Sequence, residues 1–340
     1  MKLTKKINLL HLGMEENLRE YTPDNEFTRS VHKISMHTGL PATEYVAAMP
    51  DADVIAVSAI GDVTAELIDA LPNLKLIHSN GVGFNCIDVE AAGKRGIPVC
   101  NCAGMNAEAV AEQTLMLMVG VLHDVINNDR AVREGRQSDV KHVYMANGTL
   151  KTLSDCKVGL IGFGNIGQSI AELLKVCHAD TYYTQRHRTT AATERAFGVT
   201  WVASMDELLA KCDIVSLHLP VTPTTERMCD DAFFSKMKDG SYFINTARGE
   251  LVDDEALIRA LKSGKLKMAG IDTLDDEPIK KSHILLNQPA DIASRMIFSP
   301  HIGGVASSCF RKGYTMIWDN IRRLVDGAPL EHIVNEKYLK

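Results

Sequence analysis

What is scarce in this sequence excludes several classes of protein. Basic residues do not predominate, since 37 Lys and Arg stand against 43 Asp and Glu and the formal net charge is −6. The composition therefore shows no basic footprint for nucleic acid. No apolar run has the length needed to span a membrane. The run from Ile7 to Leu12 is short and is interrupted by Asn8 and His11, so it does not read as a signal peptide.

Paired cysteines are also lacking. The eight cysteines are scattered along the chain, and only Cys100 and Cys102 lie close together, with no matching pair or histidine cluster. This pattern favours reduced, mostly buried thiols in a cytoplasmic protein without a metal. A metal site at Cys100 and Cys102 is the less favoured alternative.

What is present favours a protein of two domains. The chain has 340 residues, of which 45% are hydrophobic and 24% charged, enough for two ordinary cores. Short apolar strands alternate with helices in the first hundred residues, with strands predicted at Lys6–Leu12, Val54–Val57, Leu74–His78 and Pro98–Cys100. Alternation of this kind predicts a parallel sheet covered by helices on both faces.

A glycine-rich turn opens the second set of strands and helices. Apolar residues from Val158 to Ile161 lead into Gly162, Gly164 and Gly167, and a helical pattern follows. Gly162 suits a tight turn, Gly164 lets a pyrophosphate approach the backbone, and Gly167 allows close packing of helix on strand. The helix N-terminus, with Asn165 and Ile166, would face the phosphates. A glycine-rich turn without a ligand is the alternative.

The order of these elements predicts an inserted domain. A helix that is apolar on nearly all sides runs from Asn106, its expected N-cap, to Ile126, and residues 127–153 look like irregular surface. A long amphipathic helix, predicted for residues 303–326, would return to the first domain. We therefore expect a dinucleotide-binding Rossmann domain at residues 105–304, inserted in a flavodoxin-like, doubly wound substrate domain at residues 1–104 and 305–340.

The residues after the second strand of this set bear on the choice of dinucleotide. Gln185 stands where NAD-binding domains place a carboxylate for the ribose hydroxyls, and Arg186 and Arg188 follow it. An amide does not repel a 2′-phosphate, and arginine pairs well with one. We therefore expect NADP to be preferred over NAD. A solvated basic turn in an NAD enzyme is the alternative.

Three polar side chains follow later strands of the same set. Arg248, Glu277 and His301 each come shortly after a predicted strand. Because ligands bind outside the carboxyl ends of parallel strands, we expect all three to face the crevice of the glycine turn. The alternatives are a structural ion pair for Arg248, a surface turn for Glu277 and a buried structural role for His301.

These motifs, in this order, resemble those of the D-isomer-specific 2-hydroxyacid dehydrogenases. The resemblance extends from about Asp51 to Gly327 and rests on the glycine turn, on the segments of Arg248, Glu277 and His301, and on Gly81-Val82-Gly83-Phe84 with Ile87-Asp88, Asn106 to Glu112, and His218-Leu219-Pro220. A transcriptional corepressor-like protein that senses nucleotides on the same fold is the competing class, because fold alone does not define activity.

The resemblance implies an Arg, Glu and His active site. Arg248 would bind the carboxylate and carbonyl of a 2-oxo acid, and His301 would exchange the proton of the hydroxyl group while a nicotinamide exchanges hydride with the carbonyl carbon. Glu277 would hold His301 in place and favour its protonated form. The backbone N–H groups of Val82 and Gly83 would also hold the substrate carboxylate.

The resemblance further implies cofactor contacts, substrate class and assembly. Asp272 would lie near the nicotinamide amide. Glyoxylate, hydroxypyruvate or a D-lactate-type acid are the expected substrates, and a homodimer the expected assembly. Formate dehydrogenases are set aside because they have Gln at the position of Glu277. Nothing near Phe84 and Cys86 identifies the substrate side chain. The remaining residues implied to line the cofactor are Pro220, Thr246, Ala247 and Gly303.

Overall fold

A computed structural model describes residues 7–339. The contacts divide the chain into two compact units, and the first is discontinuous, comprising the residues up to Asn106 and those from Val305 onward. The second unit is Ala107–Gly304, so the first part of the discontinuous unit ends at Asn106 rather than at residue 104. Lys6, where the sequence predicts the first strand to begin, lies outside the described residues.

The first unit contains a parallel sheet of five strands in the order β2-β1-β3-β4-β5, the flavodoxin-like order. Its central strands β3 and β4 are almost wholly buried, and β3 reads as a continuous apolar run, whereas β4 ends in the buried polar residues His78, Ser79 and Asn80. In chain order its elements up to the second unit are β1 Asn8–Leu12, α1 Glu15–Tyr21, α2 Glu26–Ser30, β2 His32–Met36, α3 Ala42–Ala48, β3 Val54–Ser58, α4 Ala65–Ala70, β4 Leu76–Asn80, α5 Val89–Lys94 and β5 Val99–Cys100.

The second unit contains a parallel sheet of seven strands in the order β12-β11-β10-β9-β6-β7-β8. This is the Rossmann order with one added strand. All strands are parallel, and the order in which successive strands are added reverses between β6 and β9. Its elements are α6 Ala107–Leu122, α7 Val125–Arg133, α8 Gln137–Asn147, β6 Lys157–Ile161, α9 Asn165–Val176, β7 Asp180–Thr184, α10 Ala191–Phe197, β8 Val199–Trp201, α11 Met205–Lys211, β9 Ile214–Leu217, α12 Asp231–Lys236, β10 Ser241–Asn245, α13 Asp254–Lys262, β11 Leu266–Ile271, α14 Ala290–Ala293 and β12 Met296–Phe298.

Two apolar clusters cover the two faces of the second sheet. One joins α11, α12 and α13 to the sheet, with Phe234 and Phe243 in edge-on ring contact at 5.3 Å. The other lies under α6 and α9 and includes Leu117, Leu160 and Ile170. The fold class predicted from the sequence, two doubly wound parallel sheets with a Rossmann domain inserted, is confirmed.

Some local predictions are wrong. Residues 127–153 are not irregular, because they contain most of α7 and all of α8, although α8 has no buried residue. The predicted apolar helix ends at Leu122 instead of Ile126, since Asp124 adopts a left-handed φ of 48°. Asn106 precedes that helix, but its Oδ1 has no hydrogen-bond partner among residues 7–339 and so caps nothing. The C-terminal helix, α15, begins later than predicted and spans Ser307–Asp326.

All eight cysteines are free thiols and six of them are buried, which confirms the prediction that the cysteines are mostly buried. Across residues 7–339, no helix taken alone is long and apolar enough to cross a membrane, and α6 and α7 reach that length and composition only as a pair bent by 58°.

Candidate active site

The glycine turn has the shape that a dinucleotide requires. Gly162 has φ of 100°, and a Cβ there would lie 2.2 Å from the carbonyl oxygen of His218. A Cβ on Gly167 would lie 2.6 Å from the carbonyl oxygen of Gly162, so neither position accepts a side chain without movement. A Cβ on Gly164 would meet no atom within 4 Å. No side chain caps α9, which starts at Asn165. Its first backbone N–H groups therefore face open space, as the binding of a pyrophosphate requires.

The residues after β7 are only partly free to bind a ribose phosphate. Gln185 Oε1 accepts a hydrogen bond from the Phe163 N–H at 3.2 Å, and its Nε2 donates to the His187 carbonyl at 2.8 Å. Arg188 forms two bonds of 2.8 Å to the carboxylate of Glu194, and this pairing lowers the pKa of Glu194. Arg186 is exposed and forms no ion pair within residues 7–339. Arg186 is therefore the freer of the two cations.

Arg248 is held by its neighbours at the end of β10. Asn245 Nδ2 donates to the Arg248 carbonyl at 2.8 Å, and Arg248 Nη1 donates to the Ala247 carbonyl at 2.7 Å. A Cβ on Gly249 would lie 1.9 Å from the carbonyl carbon of Leu274, so only glycine fits there. Within the described chain the half-buried guanidinium has no carboxylate partner. The alternative of a structural ion pair for Arg248 is therefore wrong.

Glu277 and His301 are in direct contact. His301 Nδ1 lies 2.5 Å from Glu277 Oε2, while Glu277 Oε1 accepts the Leu274 N–H at 2.9 Å. The His301 N–H donates to the Asp272 carbonyl at 2.8 Å, and His301 has a left-handed φ of 54°. With 44% of its side chain exposed, His301 is not a buried structural residue. Its Nε2 has no hydrogen-bond partner among residues 7–339.

Asp272 is buried at the end of β11 and organises the segment that carries His301. Its carboxylate accepts hydrogen bonds from Ser299 Oγ at 2.5 Å and from the Gly303 N–H at 3.1 Å. Gln113 Nε2 in turn donates to Ser299 Oγ at 2.7 Å. Ser299 and Gln113 were missed by the sequence reasoning, although a lone amide in the apolar helix α6 was a usable signal. Thr246, a predicted cofactor residue after β10, forms a hydroxyl–hydroxyl hydrogen bond of 2.8 Å with Thr114.

The remaining predicted residues lie at strand ends. Pro220 is exposed after β9, beyond His218, whose pKa is lowered to about 4 by burial. In the first unit, Val82 and Gly83 follow β4. Asn101 Nδ2 donates to the Val82 carbonyl and Ser79 Oγ to the Gly83 carbonyl, both at 2.7 Å. These bonds fix the loop by its carbonyl groups, and no partner for the N–H of Val82 or Gly83 occurs in residues 7–339.

The fold and this site define a class: an α/β protein with a dinucleotide turn and an Arg, Glu and His set within one unit. Residues 115–303 match the family described as the D-isomer specific 2-hydroxyacid dehydrogenase NAD binding domain. Glyoxylate reductase of Thermofilum pendens is 32% identical over 290 residues, which are 85% of this chain and 83% of that protein.

Two further relatives support the match. D-3-phosphoglycerate dehydrogenase of Archaeoglobus fulgidus is 32% identical over 305 residues, covering 89% of this chain but only 55% of that longer protein. The apo structure of D-mandelate dehydrogenase of Rhodotorula graminis superposes with a TM-score of 0.81 at 28% identity, covering 97% of this chain and 98% of that one. The chain therefore belongs to the D-isomer-specific 2-hydroxyacid dehydrogenase family, and its second unit is an NAD-binding Rossmann domain.

Proposed function

We propose that this protein is a dehydrogenase that interconverts a small, unphosphorylated 2-oxo acid and its D-2-hydroxy acid. The observation that carries the proposal is the 2.5 Å contact between His301 Nδ1 and Glu277 Oε2. It orients an exposed imidazole at the carboxyl edge of the sheet, on the side where the glycine turn follows β6. A nicotinamide dinucleotide bound at that turn supplies or accepts the hydride.

The side chains then have distinct tasks. His301 Nε2 donates a proton to the developing alkoxide during reduction and accepts the hydroxyl proton during oxidation. Glu277 offsets the positive charge of the protonated imidazole and fixes the ring. Arg248 binds the substrate carboxylate and carbonyl oxygen, because its guanidinium has no carboxylate partner within residues 7–339 and can bind two oxygens at once.

The loops after the strands of the first unit support an uncharged substrate side chain. These loops contain the carboxylate of Asp62 but no Lys or Arg, and Glu15 and Glu16 stand in the first turn of α1, which follows the first loop. The loops are residues 13–14, 37–40, 59–62, 81–86 and 101–104. A phosphate group needs cationic or N–H partners and is repelled by carboxylates. Glyoxylate, hydroxypyruvate and pyruvate therefore suit this edge better than a phosphorylated acid.

We propose NADP(H) as the preferred dinucleotide, supported by Gln185 and exposed Arg186 after β7. The pairing of Arg188 with Glu194 leaves Arg186 as the main cation for a 2′-phosphate. The test is the ratio of kcat/KM for NADPH and NADH, in the wild type and in Gln185→Asp. A carboxylate at that position should reverse the ratio by about tenfold or more, since it repels the phosphate and accepts ribose hydroxyls. Clearly tighter NADH binding by the wild type contradicts the proposal.

We also propose a homodimer. Helices α7 and α8 of the second unit carry large apolar side chains that are about half exposed or more, namely Ile126, Val132, Val143 and Met145. Such side chains favour association with a partner surface. Light scattering after gel filtration tests this, with Val143→Asp as the disrupting variant. A monomeric wild type at micromolar concentration contradicts it.

A cytoplasmic location remains part of the proposal. The eight free cysteines support a reducing compartment, because oxidising compartments favour disulfides. Fractionation of the source cells with a marker for each compartment tests it.

The central experiment follows NADPH and NADH absorbance with glyoxylate, hydroxypyruvate, pyruvate, branched 2-oxo acids and phosphohydroxypyruvate. Turnover of one of the first four groups, with the D-hydroxy acid as product, is the expected result. Turnover of phosphohydroxypyruvate alone contradicts the substrate class. Cofactor binding without turnover of any acid contradicts the enzyme and favours a nucleotide-sensing protein.

A further inference from the structure

Two stretches of the second unit carry Arg248 and Glu277. The first, the Arg248 segment, is residues 248–254 and leads into α13. The second, the Glu277 segment, is residues 273–286 and follows β11. The two segments are in direct contact. The backbone of Gly249 lies so close to Leu274 that a Cβ on Gly249 would be 1.9 Å from the Leu274 carbonyl carbon. The relative position of Arg248 and Glu277 depends on this junction.

Asp254 lies at the junction with a partner from the other segment. His283 Nε2 is 3.4 Å from Asp254 Oδ2, and both side chains are largely buried, with 10% and 18% of their surface exposed. His283 Nδ1 accepts the Leu285 N–H at 3.4 Å, so the proton lies on Nε2 and points to the carboxylate. The pair joins the end of the Arg248 segment to the end of the Glu277 segment.

A small cavity shows that Asp254 faces the space between the segments. It is lined by Asn245, Gly249 and Asp254 on one side and by Thr273, Leu274 and Leu285 on the other. Thr273 Oγ1 is buried there without a hydrogen-bond partner in residues 7–339. Asp254 and Thr273 therefore line the same space between the two segments.

Arg227 makes a second, weaker connection between the same segments. The backbone N–H of Arg227 donates to the Glu250 carbonyl at 2.8 Å, and the side-chain Nη2 lies 3.6 Å from Asp275 Oδ2. Because 67% of the Arg227 side chain is exposed, this ion pair contributes little by itself. Burial raises the pKa of Asp254 to about 6, with His283 and Arg227 opposing the rise and Asp275 and Asp253 adding to it. Near neutral pH, Asp254 is thus ionised and accepts a charge-assisted bond.

We propose that Asp254 and His283 are positioning residues that hold the Glu277 segment against the Arg248 segment, and thereby set Glu277 and His301 relative to Arg248. Neither residue touches the substrate. The proposal rests on the proposed function only for its kinetic consequence, since the holding of the segments is a property of the second unit. Misplacement of reacting groups by about 1 Å costs on the order of a hundredfold in rate, so a loosened junction is measurable.

The kinetic test compares Asp254→Asn, His283→Leu and His283→Gln with the wild type. Asp254→Asn and His283→Leu should lower kcat by about tenfold while the KM of the dinucleotide changes less than about threefold, because the glycine turn is elsewhere on the sheet. His283→Gln keeps an N–H donor and should recover most of kcat. Glu255→Gln, the same charge change one residue further along α13, is the matched control and should leave kcat unchanged.

Hydrogen exchange of the full-length protein tests the same proposal without activity. Asp254→Asn and His283→Leu should speed exchange in residues 273–286 at least severalfold, while exchange in residues 157–176 stays at the wild-type rate. Unchanged exchange in residues 273–286 overturns the proposal, as does equal loss of kcat in His283→Gln and His283→Leu. An inactive wild type overturns the proposed function, and exchange then still decides the positioning role. If Asp254→Asn does not fold, the two His283 variants decide it.

Discussion

The two sheets share one architecture but end in different chemistry. At the carboxyl edge of the five-stranded sheet the loops carry glycines, carboxylates and apolar residues, such as Ile60, which is 83% exposed. At the same edge of the seven-stranded sheet stand Arg248, Glu277 and His301. In doubly wound sheets of this kind, ligands bind outside the carboxyl ends of the strands. The comparison teaches that the doubly wound sheet supplies a place, and that the loop residues decide what is done there.

Histidine shows the difference most sharply. In the first unit, His11 and His78 are buried. The ring nitrogens of His11 are hydrogen-bonded to Ser35 and Tyr314. Those of His78 are hydrogen-bonded to the Ser79 carbonyl and to Asn320. Burial lowers the pKa of each to about 4, so both are neutral structural groups. His301 of the second unit is exposed and has a carboxylate partner instead. Burial thus keeps His11 and His78 neutral, as it does His218 of the second unit, while His301 is exposed beside the carboxylate of Glu277.

The largest effect is expected from His301→Ala, which removes the proton donor. We expect kcat to fall by about 10²- to 10⁴-fold with little change in dinucleotide affinity, because general acid catalysis contributes a factor of that size. Steady-state kinetics and a fluorescence titration with NADPH check this. His142→Ala on exposed α8 is the control. Collapse of dinucleotide affinity in His301→Ala would show that the assigned role is wrong.

Arg248 variants come next and test the carboxylate contact. Arg248→Ala should lower kcat/KM for the 2-oxo acid by roughly tenfold to a hundredfold, the worth of a charge-assisted hydrogen bond of about 1.5–3 kcal/mol. Both parameters should change, since the cation acts in ground and transition states. Arg248→Lys should recover only part, because an ammonium group cannot form the bidentate pair. Full activity in Arg248→Lys would argue against bidentate binding.

Glycine variants separate binding from folding within one turn. Gly164→Ala should fold normally, since its Cβ meets no atom within 4 Å, yet weaken dinucleotide binding by about tenfold if the pyrophosphate occupies that space. Gly167→Ala should lower Tm by a few degrees, because its Cβ would lie 2.6 Å from a carbonyl oxygen. Calorimetry and NADPH titration check both. Normal affinity in Gly164→Ala would mean that the dinucleotide does not approach there.

The smallest effect concerns the buried histidines of the first unit. Because the pKa of His11 is about 4 in the folded protein and that of an unperturbed histidine is 6.5, the unfolded chain takes up the proton first as pH falls. The stability from keeping His11 neutral is present above pH 6.5 and is lost as pH falls towards 4. His11→Gln cannot titrate, so its free energy of unfolding should fall less steeply across this range. Denaturant titrations at several pH values measure the slopes, and equal slopes would contradict the assignment.

Much of the fold could be predicted because its signals are local. The apolar runs of β3 and β6, the Asp253 cap of α13 and the glycine turn each depend on residues close together in sequence. The helices α7 and α8 could not be predicted so well, because α8 buries nothing and therefore has no apolar face to reveal its period.

The site divides in the same way. Arg248, Glu277 and His301 were predicted as candidates from their strand-end positions, and the structure brings Glu277 and His301 into contact. The pairing of Arg188 with Glu194 and the bond from Gln113 to Ser299 could not, since each joins residues that only the folded chain brings together.

By itself, the sequence determined the class of fold, the dinucleotide turn and the chemical groups at the strand ends, because these follow from local periodicity, glycine geometry and residue type. Only the tertiary structure decided how those groups are held: the contact of His301 with Glu277, the guanidinium of Arg248 without a carboxylate partner in the described residues, and the contact of Asp254 with His283. Contacts between segments far apart in sequence depend on packing to within an ångström, which no local pattern encodes.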